Sequence, residues 1–211
     1  MADEKPIPPI LRELPEDLVG SRVVVRPFRV GDGQALWEAV EESREHLLPW
    51  LPWAKGHQTP ADSEAYARKK QADWLLREDF SLGIWEQGTG RFLGGSGLHA
   101  TQWDVPAFEI GYWLRKSAEG HGFMTETVCL MCQLAFDTLK ANRVYIRAET
   151  LNNRSTAIPR RLGFVEEAVL RNASRSSNGE LCDFFLFAMT PAEYAQSPIH
   201  NILNAGSPAT R

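Results

Sequence analysis

Apolar positions recur along the chain with two different periods, and the switches between them mark the elements. An alternating run from Arg22 to Pro27 predicts a first strand, and Leu36, Ala39 and Val40 then share one face of a helix beginning near Asp32. Thr59-Pro60-Ala61-Asp62 supplies an N-cap hydroxyl, a proline at the first helical position and an acid in the first turn. It predicts a second helix through Ala65 and Ala72 towards Trp74 and Leu75. Three extended pieces follow, Phe80 to Glu86, Arg91 to His99 and Ala107 to Leu114, with Gln87-Gly88-Thr89-Gly90 as a hairpin turn between the first two.

Further on, Val128, Met131, Leu134, Ala135, Thr138 and Leu139 keep helical spacing to about Lys140, and Val144, Ile146 and Ala148 alternate as in a half-buried strand. A short helix from about Ser155 to Leu162 is closed by Gly163. Strand-like runs Phe164 to Leu170 and Cys182 to Met189 flank the polar loop Ser174 to Glu180, and Thr190-Pro191-Ala192-Glu193 is a capping box for a terminal helix. This order predicts an α+β architecture around one mixed sheet. Residues 1–20 are expected as a flexible N-terminal segment, 21–195 as a single domain and 196–211 as a loose tail.

With 211 residues, 43% hydrophobic and 24% charged, the chain has the composition of a soluble domain with one sizeable core. A net charge of −4 without any cluster of five Lys or Arg disfavours a direct nucleic-acid partner. No apolar run approaches the ~18 residues of a membrane span, and Met1 to Leu18 lacks a signal-peptide core, so no membrane partner and a cytoplasmic location are expected. Cys129, Cys132 and Cys182 fit buried thiols: the lone C-x-x-C has no second pair or His cluster to complete a metal site, and no metal is expected.

The chemistry concentrates at Gly120-His121-Gly122-Phe123-Met124-Thr125-Glu126, where an extended run gives way to a helix. Uncovered N–H groups at a helix start bind phosphate, and two glycines allow positive φ and close approach of a ligand. A plain tight turn is the alternative. The spacing is not that of a nucleoside-triphosphate loop, and the third glycine of a dinucleotide fingerprint is missing, so ATP, GTP and NAD are disfavoured.

Four blocks in order, Leu47-Leu48-Pro49-Trp50-Leu51-Pro52-Trp53, Glu109-Ile110-Gly111-Tyr112-Trp113-Leu114, Gly120 to Glu126, and Asn152-Asn153-Arg154-Ser155 running into Arg161-Leu162-Gly163-Phe164, resemble the GNAT acyltransferases. Within that superfamily they are most similar to the ribosomal-protein N-terminal acetyltransferases of the RimJ/RimL type. The resemblance spans roughly Ser21 to Tyr194 and implies the GNAT fold, a mostly antiparallel mixed sheet flanked by helices on both faces. It implies acetyl-CoA as co-substrate, with Leu114 and its neighbours binding the pantetheine arm. The stretch Gly120, His121, Gly122, Phe123, Met124 and Thr125 would cradle the pyrophosphate, and Asn152 would lie near the thioester.

This chain departs from the superfamily pattern at Ser117, where Gln or Arg is frequent, and at Pro159, where many members carry the tyrosine that protonates the leaving thiolate. The Rim-type branch resembles it in carrying Ser155, a hydroxyl able to protonate a thiolate whose conjugate acid has a pKa near ~8.5. Ser155 could equally cap its helix, and Asn152 could simply form a turn. A glutamate thought to act as base in some relatives aligns with Ser174, so that role does not transfer. Glu109 and His99 remain candidate bases alongside structural readings of both, with Asp183 a further candidate. Trp50 and Trp53 could wall an acceptor slot or pack in the core.

An α-amine has a pKa of roughly 7.7–8.0 against about 10.4 for lysine, which is ~3.4 kcal/mol less to overcome at neutral pH. A weak base or an ordered water therefore suffices for a protein N-terminus. The leading expectation is an acetyl-CoA-dependent N-acetyltransferase acting on a protein α-amine by direct ternary-complex transfer. A small-molecule amine acceptor (aminoglycoside, polyamine or amino acid) and a non-catalytic acyl-CoA sensor are the alternatives, and a homodimer is kept open.

Overall fold

Strands β1 (Leu18–Val19), β2 (Val23–Pro27), β3 (Phe80–Glu86), β4 (Phe92–Gln102), β5 (Ala107–Leu114), β6 (Arg143–Glu149), β7 (Val165–Arg175) and β8 (Leu181–Met189) build one sheet. Its order is β1-β2-β3-β4-β5-β6-β8-β7 in the computed structural model, which describes residues 7–206. Every ladder is antiparallel except the one joining β5 to β6. Helices α1 (Gly33–Leu47), α2 (Pro60–Leu76), α3 (Phe123–Gln133), α4 (Asn153–Leu162), α5 (Pro191–Gln196) and α6 (Ile199–Gly206) complete the chain. None of the described helices is long and apolar enough to cross a membrane.

The alternation along each strand sorts residues onto two faces, and each face carries its own core. Val25, Ile84, Leu98, Phe108 and Ile110 meet Val128, Met131 and Cys132 of α3. Phe28 and Phe92 meet Leu36, Ala39 and Val40 of α1 and Ala67 of α2. Helices therefore cover both faces of a mostly antiparallel sheet, as the resemblance implied.

The second helix starts as its sequence signal predicts, with the Thr59 N–H donating to Asp62 and the Asp62 N–H donating to the Thr59 hydroxyl. The capping box at Thr190 and Glu193 forms as well. The helix expected to run to Lys140 instead ends its α-helical part at Gln133 and widens into a π-turn over Leu134–Thr138. That wider turn keeps Phe136 buried and stacked on Tyr194, with ring centroids 4.6 Å apart. The expected loose tail is also different: Ile199–Gly206 is helical, and Ile199 is buried in the α3-side core because the chain after α5 folds back onto it. Within the N-terminal segment, Leu18–Val19 pairs with β2 and Pro9–Leu11 forms a short turn; residues 1–6 and 207–211 lie outside the described residues.

Glu126, on the first turn of α3, ties the sheet edge to the glycine turn. Its buried carboxylate accepts from the Ser21 N–H and hydroxyl (2.9 Å for the latter) and from the Arg22 N–H (3.0 Å) and Nε (2.9 Å). Arg22 then donates from Nη1 to the His121 carbonyl at 2.8 Å. Burial alone raises the affinity of Glu126 for a proton, but the hydrogen bonds from Arg22 and Ser21 outweigh it and lower its pKa.

Replacing Glu126 by Gln is expected to lower the unfolding free energy by about 2–3 kcal/mol at pH 7. A group whose folded pKa is depressed stabilises above its unfolded value of about 4.3, and that stability is lost as pH falls through the folded pKa. Urea titrations should therefore show the gap between wild type and variant closing in acid; a gap independent of pH would contradict an ionised clamp.

Candidate active site

β5 and β6 run parallel but share only the pairs Ala107 with Arg143, Phe108 with Val144 and Glu109 with Tyr145. Beyond Glu109 the two strands part, although β5 continues to Leu114 and β6 to Glu149. A cavity of about 1530 Å³ fills the gap, lined by Ile110 to Leu114 on one side and Ile146 to Glu149 on the other. Because successive residues of a strand point to opposite faces, the cavity is walled from both. Tyr112 and Leu114 look to the α3 side, and Glu109, Gly111, Trp113, Arg147 and Glu149 to the α1/α2 side. Past the last pair, the main-chain groups on the β6-facing edge of β5 are left without a strand partner, while its other edge stays paired with β4 as far as Leu114.

At the α3 side the cavity meets the glycine turn. Gly120 and Gly122 both sit at φ +79°, a left-handed conformation that turns the chain into the N-terminus of α3. The first N–H groups of α3, from Phe123, Met124 and Thr125, have no partner inside the helix, and these three residues line the cavity with Gly120 and Gly122. A side chain at Gly120 would meet open space, whereas one at Gly122 would come within 3.0 Å of the Arg22 guanidinium. His121 does not line the cavity; its ring stacks on Phe123 at 5.8 Å.

Contacts from α1 hold the approach to this turn. Ser43 Oγ accepts from the Lys116 N–H at 2.9 Å, and Glu42 accepts from the Ser117 N–H at 3.0 Å and from Arg115. Burial opposes ionisation of Glu42, yet the hydrogen bonds from Arg115 and Ser117 bring its pKa down to about 2. Ser117 itself accepts from Arg91 Nη2 at 2.6 Å, so its short side chain has an internal use.

The other wall is the head of α4. Asn152 is its N-cap, with Oδ1 accepting from the Ser155 N–H at 3.0 Å, and Asn152 and Ser155 both line the cavity. Ser155 is thus the capped residue rather than the cap. Pro159 lies inside α4 and has no N–H to donate to the Ser155 carbonyl four residues earlier. The Tyr112 hydroxyl donates to that carbonyl at 2.9 Å, and the Ser155 hydroxyl donates to the Tyr112 oxygen at 3.2 Å. Burial raises the Tyr112 phenol to about 12, with the Ser155 contact pulling slightly the other way, so it keeps its proton at neutral pH. Tyr112 was not singled out from the sequence, but it shares the face of Leu114 by period-two spacing, which places it beside the residue assigned to the arm.

The base candidates fare less well. Both Glu109 oxygens accept from Arg147, at 2.9 Å from Nε and 3.0 Å from Nη2, so the carboxylate is already engaged in an ion pair. His99 is absent from the cavity lining: its ring lies over Gly97 and Gly111, and Nδ1 donates to Asp79 at 2.6 Å. Asp183 is engaged by the Asn172 N–H at 2.8 Å. Trp50 lines the cavity and is 36% exposed, whereas Trp53 packs edge-on to Trp113 and His57 outside the lining. Cys129 and Cys132 are buried with their thiol pKa values pushed up by burial, and no group of His, Cys, Asp and Glu suited to a metal occurs among the described residues.

Residues 22–165 match the family described as Acetyltransferase (GNAT) domain. The chain is 31% identical over 157 residues to a putative ribosomal N-acetyltransferase, YdaF, of Bacillus subtilis (strain 168), covering 73% of this chain and 84% of that protein. Among solved structures it resembles Mycobacterium smegmatis RimJ in complex with CoA-disulfide, with TM-score 0.73, 24% identity and coverage of 87% of this chain and 89% of that one. It also resembles the microcin C7 self-immunity acetyltransferase MccE in complex with acetyl-CoA and AMP, with TM-score 0.75, 20% identity and coverage of 80% and 92%. At these identities the two structures bear on the fold.

The pairing of Tyr112 with the carbonyl that Pro159 leaves open predicts a coupling. Tyr112→Phe is expected to cost about 1–2 kcal/mol in the native background and measurably less once Pro159→Ala restores a helical donor. A double-mutant cycle on urea midpoints reads the difference, and purely additive effects would rule the coupling out.

Proposed function

The chain belongs to the GNAT acetyltransferase family, and from that premise we propose that it transfers an acetyl group from acetyl-CoA to the α-amine of a protein or peptide N-terminus. One observation carries the reading: the unpaired edge of β5, the left-handed glycines heading α3 and the Asn152–Ser155–Tyr112 cluster all open into one cavity.

These features match acetyl-CoA part by part. Its pyrophosphate needs clustered N–H donors, for which the residues from Gly120 to Thr125 are suited. Lys116 and Arg161 add positive charge to the same wall. Its amide-bearing arm needs strand-like main-chain partners, which β5 offers around Leu114. Bound there, the thioester supplies an activated acyl carbon and a thiolate leaving group.

Asn152 uses its oxygen to cap α4, which leaves its side-chain NH₂ to donate towards the cavity. Ser155, oriented by Tyr112, protonates the departing thiolate; a thiol pKa near ~8.5 asks little of the donor. Arg147 and Glu109 fix each other across the mouth of the gap and act as positioning residues. The cavity wall carries no cysteine among the described residues, which supports direct transfer without a thioester on the enzyme. Similarity to YdaF, named as a putative ribosomal N-acetyltransferase, supports a protein acceptor, and Trp50 with Leu51 offers an apolar wall for its first residues.

Free-thiol release from acetyl-CoA, followed with Ser-, Ala- and Met-starting peptides, amino sugars and polyamines, is expected with the peptides. Release only with amino sugars or polyamines would move the acceptor to small amines, and release with none despite cofactor binding would make the protein an acyl-CoA sensor. Ser155→Ala is expected to lower turnover about 10²-fold, the low end for general acid catalysis, with cofactor affinity within a few fold. Unchanged turnover would remove Ser155 from the reaction. Gly122→Val combines a forbidden φ with a collision against Arg22 and is expected to weaken CoA binding at least tenfold by calorimetry; intact binding would refute the cradle.

A further inference from the structure

The carboxylates of the cavity wall, Glu109, Glu119 and Glu149, are in different states. Glu109 is held by Arg147, and Glu119 by His46 at 2.6 Å and by Arg154. No hydrogen bond or ion pair engages the carboxylate of Glu149 among the described residues, and burial alone raises its pKa.

Glu149 is the last residue of β6, beyond its final pair with β5, and it shares the face of Arg147. Tyr112 and Ser155 reach the gap from the α3 side, so Glu149 faces it from the opposite one. Along that face it pairs across the ladder with Phe184, followed by Cys182, which in turn pairs with Ser174 of β7. The charged and titratable groups around it are accounted for. Arg147 is taken by Glu109, and Arg154 by Glu119. Arg161 donates to the Thr125 hydroxyl at 3.0 Å, and Asp183 accepts from the Asn172 N–H. The Cys182 thiol is pushed up, first by burial and then by the charges of Glu149 and Asp183, so it stays neutral.

We propose that Glu149 receives the ammonium group of the acceptor and takes its proton. The assignment rests on the acetyltransferase reading of the cavity. One proton of the ammonium passes to Glu149 and on to water, and the freed nitrogen lone pair bonds to the thioester carbonyl carbon. The C–S bond breaks with its electron pair leaving on sulfur. The thiolate is protonated by Ser155, which recovers a proton from the nitrogen's second N–H. A half-buried carboxylate with raised proton affinity is better matched to an α-amine of pKa roughly 7.7–8.0 than an exposed one would be. An amine arriving as a cation also finds there the one negative charge of the wall not already paired among the described residues.

The test compares wild type, Glu149→Gln and Glu149→Asp in the full-length protein, with melting temperatures confirming that each folds. With a peptide acceptor, Glu149→Gln is expected to lower kcat/KM about 10²-fold at pH 7. The loss should shrink above pH 9, where the amine is already neutral, and Glu149→Asp should recover part of it. A loss under threefold at pH 7, or one of the same size at every pH, overturns the assignment. Should wild type acetylate no amine, the functional reading fails by itself, and Glu149 is judged by calorimetry of a Ser-starting peptide titrated into the protein saturated with CoA. Tenfold weaker binding in Glu149→Gln supports the ammonium site; equal affinity, or no binding by wild type, overturns it.

Discussion

β5 and β6 lie side by side in parallel for only three residue pairs and then separate, and the working parts of the molecule are arranged around that separation. A parallel ladder needs a crossover between its strands, and here the crossover is α3 with the glycine turn at its head. Parting of the strands after Glu109 opens the sheet from one face to the other. It strips partners from the β6-facing edge of β5 and places the head of α3, the head of α4 and the end of β6 around one space. A donor entering along β5 from the α3 side and an acceptor entering from the α1/α2 side would meet there, with the sheet itself keeping their approaches apart.

Such a gap holds its shape only if its rims are fixed, and buried or partly buried polar contacts fix them. Glu126 binds the start of β2 to the start of α3, and the Arg22 guanidinium carries that link to the His121 carbonyl. Glu42 and Ser43 of α1 hold the backbone of Ser117 and Lys116. His46 and Arg154 meet at Glu119, joining α1 and α4 across the same loop. Removing water from these carboxylates is costly unless each is fully bonded, so a single rearranged rim would leave charge uncompensated. That cost is a physical reason for the turn to keep one geometry.

Pro159 shows how one residue changes a site from a distance. By withholding a helical N–H it leaves the Ser155 carbonyl open, and the open carbonyl takes the Tyr112 hydroxyl from β5. The helix thereby anchors to the strand at the point where a serine hydroxyl faces the cavity. The wall is also sorted by charge. Lys116 and Arg161 stand with the glycine turn, and the carboxylate of Glu149, without a partner among the described residues, stands at the far end of β6. An anionic donor and a cationic acceptor would each find the opposite sign.

Local pattern determined most of the elements, because capping boxes, period-two runs and left-handed glycines act over a few residues. The starts of α2 and α5, the closing of α4 by Gly163 and the positive φ at Gly120 and Gly122 all follow from such signals. The resemblance carried by Glu109 to Leu114 and Gly120 to Glu126 was enough to point to the family. Partnership across the fold was not legible, since it depends on which strands are neighbours and where they part. For Glu109 and His99 the sequence left both a base and a structural role open until Arg147 and Asp79 were placed beside them, and Glu149 did not stand out until the other carboxylates of the wall had partners among the described residues. Whether a charged side chain is free to do chemistry is settled by the groups tertiary packing brings within about 3–4 Å of it, and sequence spacing alone does not contain those distances.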